Sequence, residues 1–496
     1  MFDGEGTGDA DGADRPPLLT RRRVLGGLGG LGGAAVVGAL TAYAARGGGG
    51  AVRVDGAAPG GAAGSGDGAG PGGSASDGGA SDGGGALSGS DIAGITALFD
   101  ARAAAVLSGD QAALLATVDP EAEPAFLLAQ AELPGRIAQV PLADWSYRLV
   151  GTGAFPLPAA AASASSPDAA APPARRLAAR VELSYRLRGF DGHTVTATEY
   201  LTLVRRGGRW GVASDRDGEA TGHRGDVQLW DLGTVTALRV GRRGGSALVL
   251  GLRPAAELRA LAVTAAAAIR PVRRVWGERG WNGRTVVLAP ATAAQFAALL
   301  GGSASAASYG SIAAVSTGEL GASGAGSAPA DRIIVNPGPW DGLSDLGRRV
   351  VLTHETTHAA TRAITEPWTP RWLAEGAADW TAYSSLGDDS PRRYAAELAA
   401  DVAAGRLPRA LPTDADFAST AAGLPQAYEG AWLACRMTAA RWGMARLRAF
   451  YRAVAAAQPH EESTAVADAL RDVLGVSLPE FTARWRAYLA DVLGGG

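Results

Sequence analysis

Two histidines four residues apart, His354 and His358 in VLTHETTHAATR, are the part of this chain best suited to chemistry. On a helix both imidazoles leave the same face, one turn above the other. Two neutral ring nitrogens so placed can bind one tetrahedral Zn²⁺, and Glu355 between them is a candidate general base. The competing reading is a pair of histidines satisfied by ordinary partners. The flanks decide against it. Val350-Val351-Leu352 before the motif and Ala359-Ala360 after it predict a mostly apolar, buried helix, and burying His354, Glu355 and His358 without a partner is costly.

Downstream, Glu366-Pro367-Trp368-Thr369-Pro370 stops that helix, because proline cannot continue the hydrogen-bond ladder. Arg371 to Trp380, RWLAEGAADW, then reads as a second helix. Folded against the first, it brings Glu375 in as a third ligand and leaves the fourth position to water, the arrangement of a catalytic rather than a structural zinc. Asp379 lies one turn beyond Glu375 on the same face. It can accept the outer N–H of a zinc-bound histidine and fix its tautomer; otherwise it is an ordinary solvated acid.

HETTH followed at this distance by EGAAD resembles the gluzincin metallopeptidases, and PRWLAEGAADW is similar to the peptidase MA-like domains of bacteria. The resemblance covers roughly residues 270–493. It implies that His354, His358 and Glu375 bind zinc and that Glu355 polarises water, and it is silent on substrate. Thermolysin-like enzymes add a tyrosine or histidine for the oxyanion, and no third histidine follows nearby. Tyr428, in LPQAYEGAWLACR, is the candidate donor, although a tyrosine beside Trp432 and Leu433 is also a natural packing residue. His460, in a loop, ranks below it.

Such a site would hydrolyse a peptide or protein lying extended along a sheet edge. The runs Thr285–Leu288, Ile312–Val315 and Arg332–Val335 can supply that edge. The expected architecture is α+β: a zincin-type metallopeptidase domain at 219–496, a small mixed sheet plus a helical half, behind a cone-shaped α+β domain at 91–218. Within the latter, helices over Ile92–Leu107 and Gln111–Val118 precede alternating strands at Trp145–Gly151, Ala179–Leu187, Thr194–Arg205 and Trp210–Ser214. That order resembles the nuclear transport factor-like fold. Phe155–Pro173 reads as a loop insertion.

With 496 residues the chain exceeds one core, and its net charge of −3 without a basic stripe argues against nucleic acid as a partner. Residues 1–45 read as a tail and export signal. Arg21-Arg22-Arg23 precedes an apolar, glycine-rich stretch, with a small-x-small site at Ala42-Tyr43-Ala44. The twin arginines suggest the twin-arginine kind, and residues 24–45 are long enough to anchor the chain in a membrane if uncleaved. Glycine, serine and aspartate over 46–90 predict a flexible linker. The single cysteine, Cys435, sits in an apolar helix as a core residue. Two functions follow. One is an extracytoplasmic zinc peptidase; the alternative is a weak or inactive zinc-containing envelope protein serving as a ligand-binding or scaffold module. Glu355 favours the first, since a scaffold needs no base beside its metal.

Overall fold

Short apolar runs in the second half of the chain pair into one mixed sheet, and that sheet carries the motif helix on one face. The computed structural model describes residues 42–43, 87–158, 174–242, 245–277, 280–301, 309–318, 331–386, 390–457 and 462–494. The arginine-led export stretch, most of the 46–90 linker, the core of the 155–173 loop and His460 lie outside them. Among the described residues no helix is long and apolar enough to cross a membrane.

The first strand, β1 (Ala42–Tyr43), belongs to the later sheet. Helix α1 (Gly89–Ser108) starts inside the stretch expected to be linker. The Ser88 side chain accepts from the Asp91 amide while the Asp91 carboxylate accepts from the Ser88 amide, a reciprocal cap. Gly109, at φ 69°, ends it. Two further helices follow, α2 (Gln111–Leu115) and α3 (Pro124–Ile137). Pattern reading misses α3 because Pro134-Gly135 falls inside it. Next come β2 (Leu142–Thr152), β3 (Arg175–Leu187), β4 (Val195–Arg206) and β5 (Arg209–Ser214), an antiparallel meander in sequence order. Ile95 and Phe99 of α1 pack on Val181, Leu201, Leu203 and Val212 of its inner face.

The second sheet contains β6 (Thr236–Arg242), β7 (Gly245–Gly251), β8 (Arg284–Ala289), β9 (Ala314–Gly318) and β10 (Arg332–Val335), in the order β1-β9-β10-β8-β7-β6. β7, β8 and β10 run parallel; β6 and β9 are antiparallel to their neighbours β7 and β10. Ala42 and Tyr43 pair in parallel with Thr317 and Gly318 on the outer edge of β9. The period of two sorts the faces. Ala247, Val249 and Val287 join the core shared with the helices, whereas Leu248, Leu250 and Val286 pack on Leu183, Tyr185 and Leu187 of the front unit. Both faces are covered, which is why these strands read as continuous apolar runs. One ion pair crosses that contact: Arg332 of β10 grips Asp191 with two hydrogen bonds of 2.8 Å, both side chains buried.

The helical half contains α4 (Ala255–Trp276), α5 (Ala293–Leu299), α6 (Pro337–Asp341), α7 (Asp345–Thr361), α8 (Arg371–Tyr383), α9 (Pro391–Tyr394), α10 (Ala396–Ala403), α11 (Leu424–Trp442), α12 (Met444–Ala455), α13 (Glu462–Ala469) and α14 (Leu478–Leu493). Between α9 and α10 the helical path is broken at Ala395, which leaves the helical region at φ −123°, ψ 54°. Gly443 and Gly475 end their helices at φ 86° and 69°, as their positions in the sequence imply. The whole is a mixed α/β architecture of two sheets and many helices.

Candidate metal centre

Helix α7 holds the motif; its first turn is open to solvent, and the part that carries the motif is buried. Ser344 caps it, accepting from the Gly347 amide at 3.1 Å, and every residue from Val350 to Thr361 is buried. Strand β9 and helices α4 and α8 surround it. Threonine hydroxyls run down its length, each donating to the carbonyl one turn back: Thr353 to Arg349, Thr357 to Thr353, Thr361 to Thr357, then Thr365 to Thr361. These bonds satisfy hydroxyls buried away from water, and Thr365 also meets the Tyr451 hydroxyl at 2.7 Å. At the end of the helix Arg362, 3% exposed, pairs with Asp331 at 2.7 Å. A cation there also suits the negative end of the helix dipole.

Helix α8 brings Glu375. Pro367 and Pro370 turn the chain as anticipated, Pro370 occupying the cap position of α8. Gly376 then allows a close crossing: a Cβ at that position would sit 2.3 Å from the carbonyl oxygen of Ala431 on α11. No larger residue fits, so the glycine beside Glu375 sets how deeply the carboxylate enters.

The three expected ligands converge. The Nε2 atoms of His354 and His358 are 3.0 Å apart, and Oε2 of Glu375 lies 3.2 and 3.5 Å from them. Ligand distances of about 2.0–2.1 Å place adjacent corners of a zinc tetrahedron about 3.3 Å apart, so this triangle is one face of such a tetrahedron. Oε2 of Glu375 is buried yet makes no hydrogen bond, a poor state for a carboxylate oxygen unless a cation takes it. The donor set, two imidazoles and one carboxylate, therefore fits zinc.

Asp379 sits behind His354, with Oδ1 2.9 Å from Nδ1 and both groups buried. A carboxylate can only accept, so Nδ1 carries a hydrogen, and in the neutral ring the Nε2 lone pair faces the triangle. Without a metal, burial pulls the His354 pKa down, but the hydrogen bond to Asp379 and the nearby charges of Asp379 and Glu375 outweigh it and hold the ring well above the ordinary histidine value. Burial likewise pushes Glu375 up, and His358 and His354 more than reverse this, to about 2. In the metal-free chain a proton supplies the positive charge that this trio requires.

Glu355 is on the same helix, fully buried, its Oε2 accepting from Ser316 Oγ at 2.7 Å. Its other oxygen, Oε1, makes no hydrogen bond. Burial pushes the pKa of Glu355 up, partly offset by the neighbouring imidazoles and the Ser316 hydroxyl. Ser316 has no motif to announce it. Its parity does carry a signal: it shares a strand face with Ala314, which joins the core around α7, and a hydroxyl there must find a partner. The pairs Asp331–Arg362 and Asp191–Arg332 were equally invisible, being contacts between distant segments. Tyr428 lies in the second turn of α11, 3% exposed, with its ring edge-to-face on Phe417 at 5.1 Å. Cys435 is buried in the same helix.

No family model and no curated protein matches the chain. Among solved structures it is similar to a mutant of an M1 zinc metallopeptidase from Deinococcus radiodurans, at 13% identity and a TM-score of 0.30. That match covers 61% of this chain and 57% of the other, so the chain spans little more than half of that structure's length. A superposition this loose carries no argument about chemistry, which rests on the side chains themselves.

Proposed function

We propose that the chain is a zinc-dependent peptidase of the gluzincin kind that works outside the cytoplasm, exported or anchored through residues 24–45. The observation that carries this reading is the triangle of His354, His358 and Glu375 ligand atoms, with the unpaired Oε1 of the buried Glu355 on the adjoining residue. Zinc bound there supplies Lewis acidity toward a carbonyl oxygen and makes water a nucleophile near neutral pH.

The chain's own residues have distinct tasks. Asp379 holds a proton of His354 on Nδ1, which leaves Nε2 as the ring nitrogen that ligates. Glu355 accepts a proton from water at Oε1 and returns it to the departing amine. Its raised pKa suits both directions, because an acid–base group works best near the operating pH. Tyr428 is the phenol assigned to the developing oxyanion, on the helix that packs along α8. Substrate enters as an extended strand, its main chain recognised by hydrogen bonds.

The test is Glu355→Gln, which preserves shape and removes the base. Zinc content stays at the wild-type level while cleavage of casein or a peptide library falls at least about a hundredfold. Unchanged cleavage ends the assignment. A wild-type chain that holds zinc and cleaves nothing favours the scaffold alternative.

A further inference from the structure

We propose that Ser316 is the positioning residue of the base, the group that holds Glu355 with one oxygen tied back and the other free to take a proton. The inference rests on the peptidase reading and adds to it a residue outside the motif. Ser316 is 1% exposed and Glu355 0% exposed, so no solvent competes for their contact. The Ser316 Oγ lies 2.7 Å from Oε2 of Glu355 and 3.0 Å from the backbone oxygen of the same residue. A hydroxyl has one hydrogen to give, and the charged oxygen at the shorter distance takes it.

The consequence for Glu355 follows from its flexibility. A glutamate side chain has three rotatable bonds and, left unguided, spreads over several rotamers. Here one carboxylate oxygen is pinned and its twin, Oε1, makes no hydrogen bond at all. Were the Ser316 contact there only to fasten strand to helix, a hydroxyl on the α7 backbone oxygen would suffice, and the carboxylate would need a partner of its own. The same strand ends in Thr317 and Gly318, whose outer edge pairs with a second extended segment, Ala42–Tyr43. Ser316 thus links strand β9 to the group that takes the proton.

The experiment uses the full chain loaded with zinc and three substitutions. Thr and Val at 316 add the same methyl group, so their ratio isolates the hydroxyl whatever the cost of the added bulk; Ser316→Ala removes it without adding anything. Zinc content of all three equals wild type. Ser316→Ala lowers kcat about tenfold or more with KM within about twofold, and Ser316→Thr exceeds Ser316→Val by a similar factor. Crystals of Ser316→Ala show the Glu355 carboxylate moved or spread over more than one orientation. The proposal is overturned if Ser316→Val matches Ser316→Thr in kcat, or if Glu355 keeps its place in Ser316→Ala crystals. The crystal readout does not depend on turnover: a wild type that cleaves no peptide defeats the peptidase reading, while the carboxylate position still decides what Ser316 does.

Discussion

Replacing Asp379 separates a metal centre from a mere cluster of polar residues. Its carboxylate accepts from His354 Nδ1 at 2.9 Å, with the imidazole 0% and the acid 3% exposed. A hydrogen bond involving a charged group contributes roughly 1.5–3 kcal/mol, against about 1 for a neutral pair. Asp379→Asn keeps an acceptor oxygen in place and loses the charge. The difference, about 1–2 kcal/mol, corresponds to roughly 5- to 30-fold in zinc affinity. The amide can also turn its NH₂ toward Nδ1, which would move the ring proton to Nε2 and block the ligand atom. That brings the expectation to about 10- to 100-fold, the usual range for losing such a partner. Asp379→Ala leaves a buried N–H unpaired and is at least as damaging. The assay is competition for zinc with a chelator of known affinity, on metal-stripped protein. Both variants within about twofold of wild type would refute the argument, since the acid would then have no influence on the ring it touches.

Three further outcomes are expected. Gly376→Ala places a methyl 2.3 Å from the Ala431 oxygen and 3.1 Å from Cys435 Sγ, so α8 must move; urea unfolding registers a loss of about 1–3 kcal/mol or more, and zinc binding weakens with it. An unchanged midpoint would mean the helices can separate freely. Asp191→Ala strands the buried Arg332 guanidinium and costs about 3–5 kcal/mol, read from the urea midpoint; a loss below about 1 kcal/mol would contradict the ion pair's place in the contact between the two units. In metal-free protein the raised pKa of His354 gives stability that is fully present below the ordinary histidine range, about 6.5, and is lost as pH rises through the higher folded value. Zinc competes with that proton, so its affinity climbs with pH and binding at pH 7 releases protons, measurable by calorimetry in buffers of different ionisation enthalpy. Zinc uptake without proton release would be inconsistent with this account.

Much of the framework was legible because it follows from local rules. The four-residue spacing of His354 and His358, the proline break before α8 and the short apolar runs that became β8, β9 and β10 each depend on a few neighbouring residues. Helix α3 escaped because a proline usually stops a helix, and tertiary packing of Phe126 and Ile137 overrode that rule. The base's partner escaped for a different reason. Ser316 and Glu355 are 39 positions apart, and Asp191 and Arg332 are 141 apart. Strand parity puts Ser316 on the inner face, but nothing local names the partner of a serine or an arginine bonded across such distances. Sequence identifies groups whose chemistry is written in their spacing; the groups that orient them come from the fold.

The central claim is that three side chains of α7 and α8 capture one metal ion. Elemental analysis of protein prepared without added metal or affinity tag, with anomalous diffraction at the zinc edge, tests it directly. The account predicts about one zinc ion per wild-type chain, located between His354, His358 and Glu375, and almost none in His354→Ala, His358→Ala or Glu375→Ala. Equal zinc in wild type and variants, or an anomalous peak elsewhere, would contradict it.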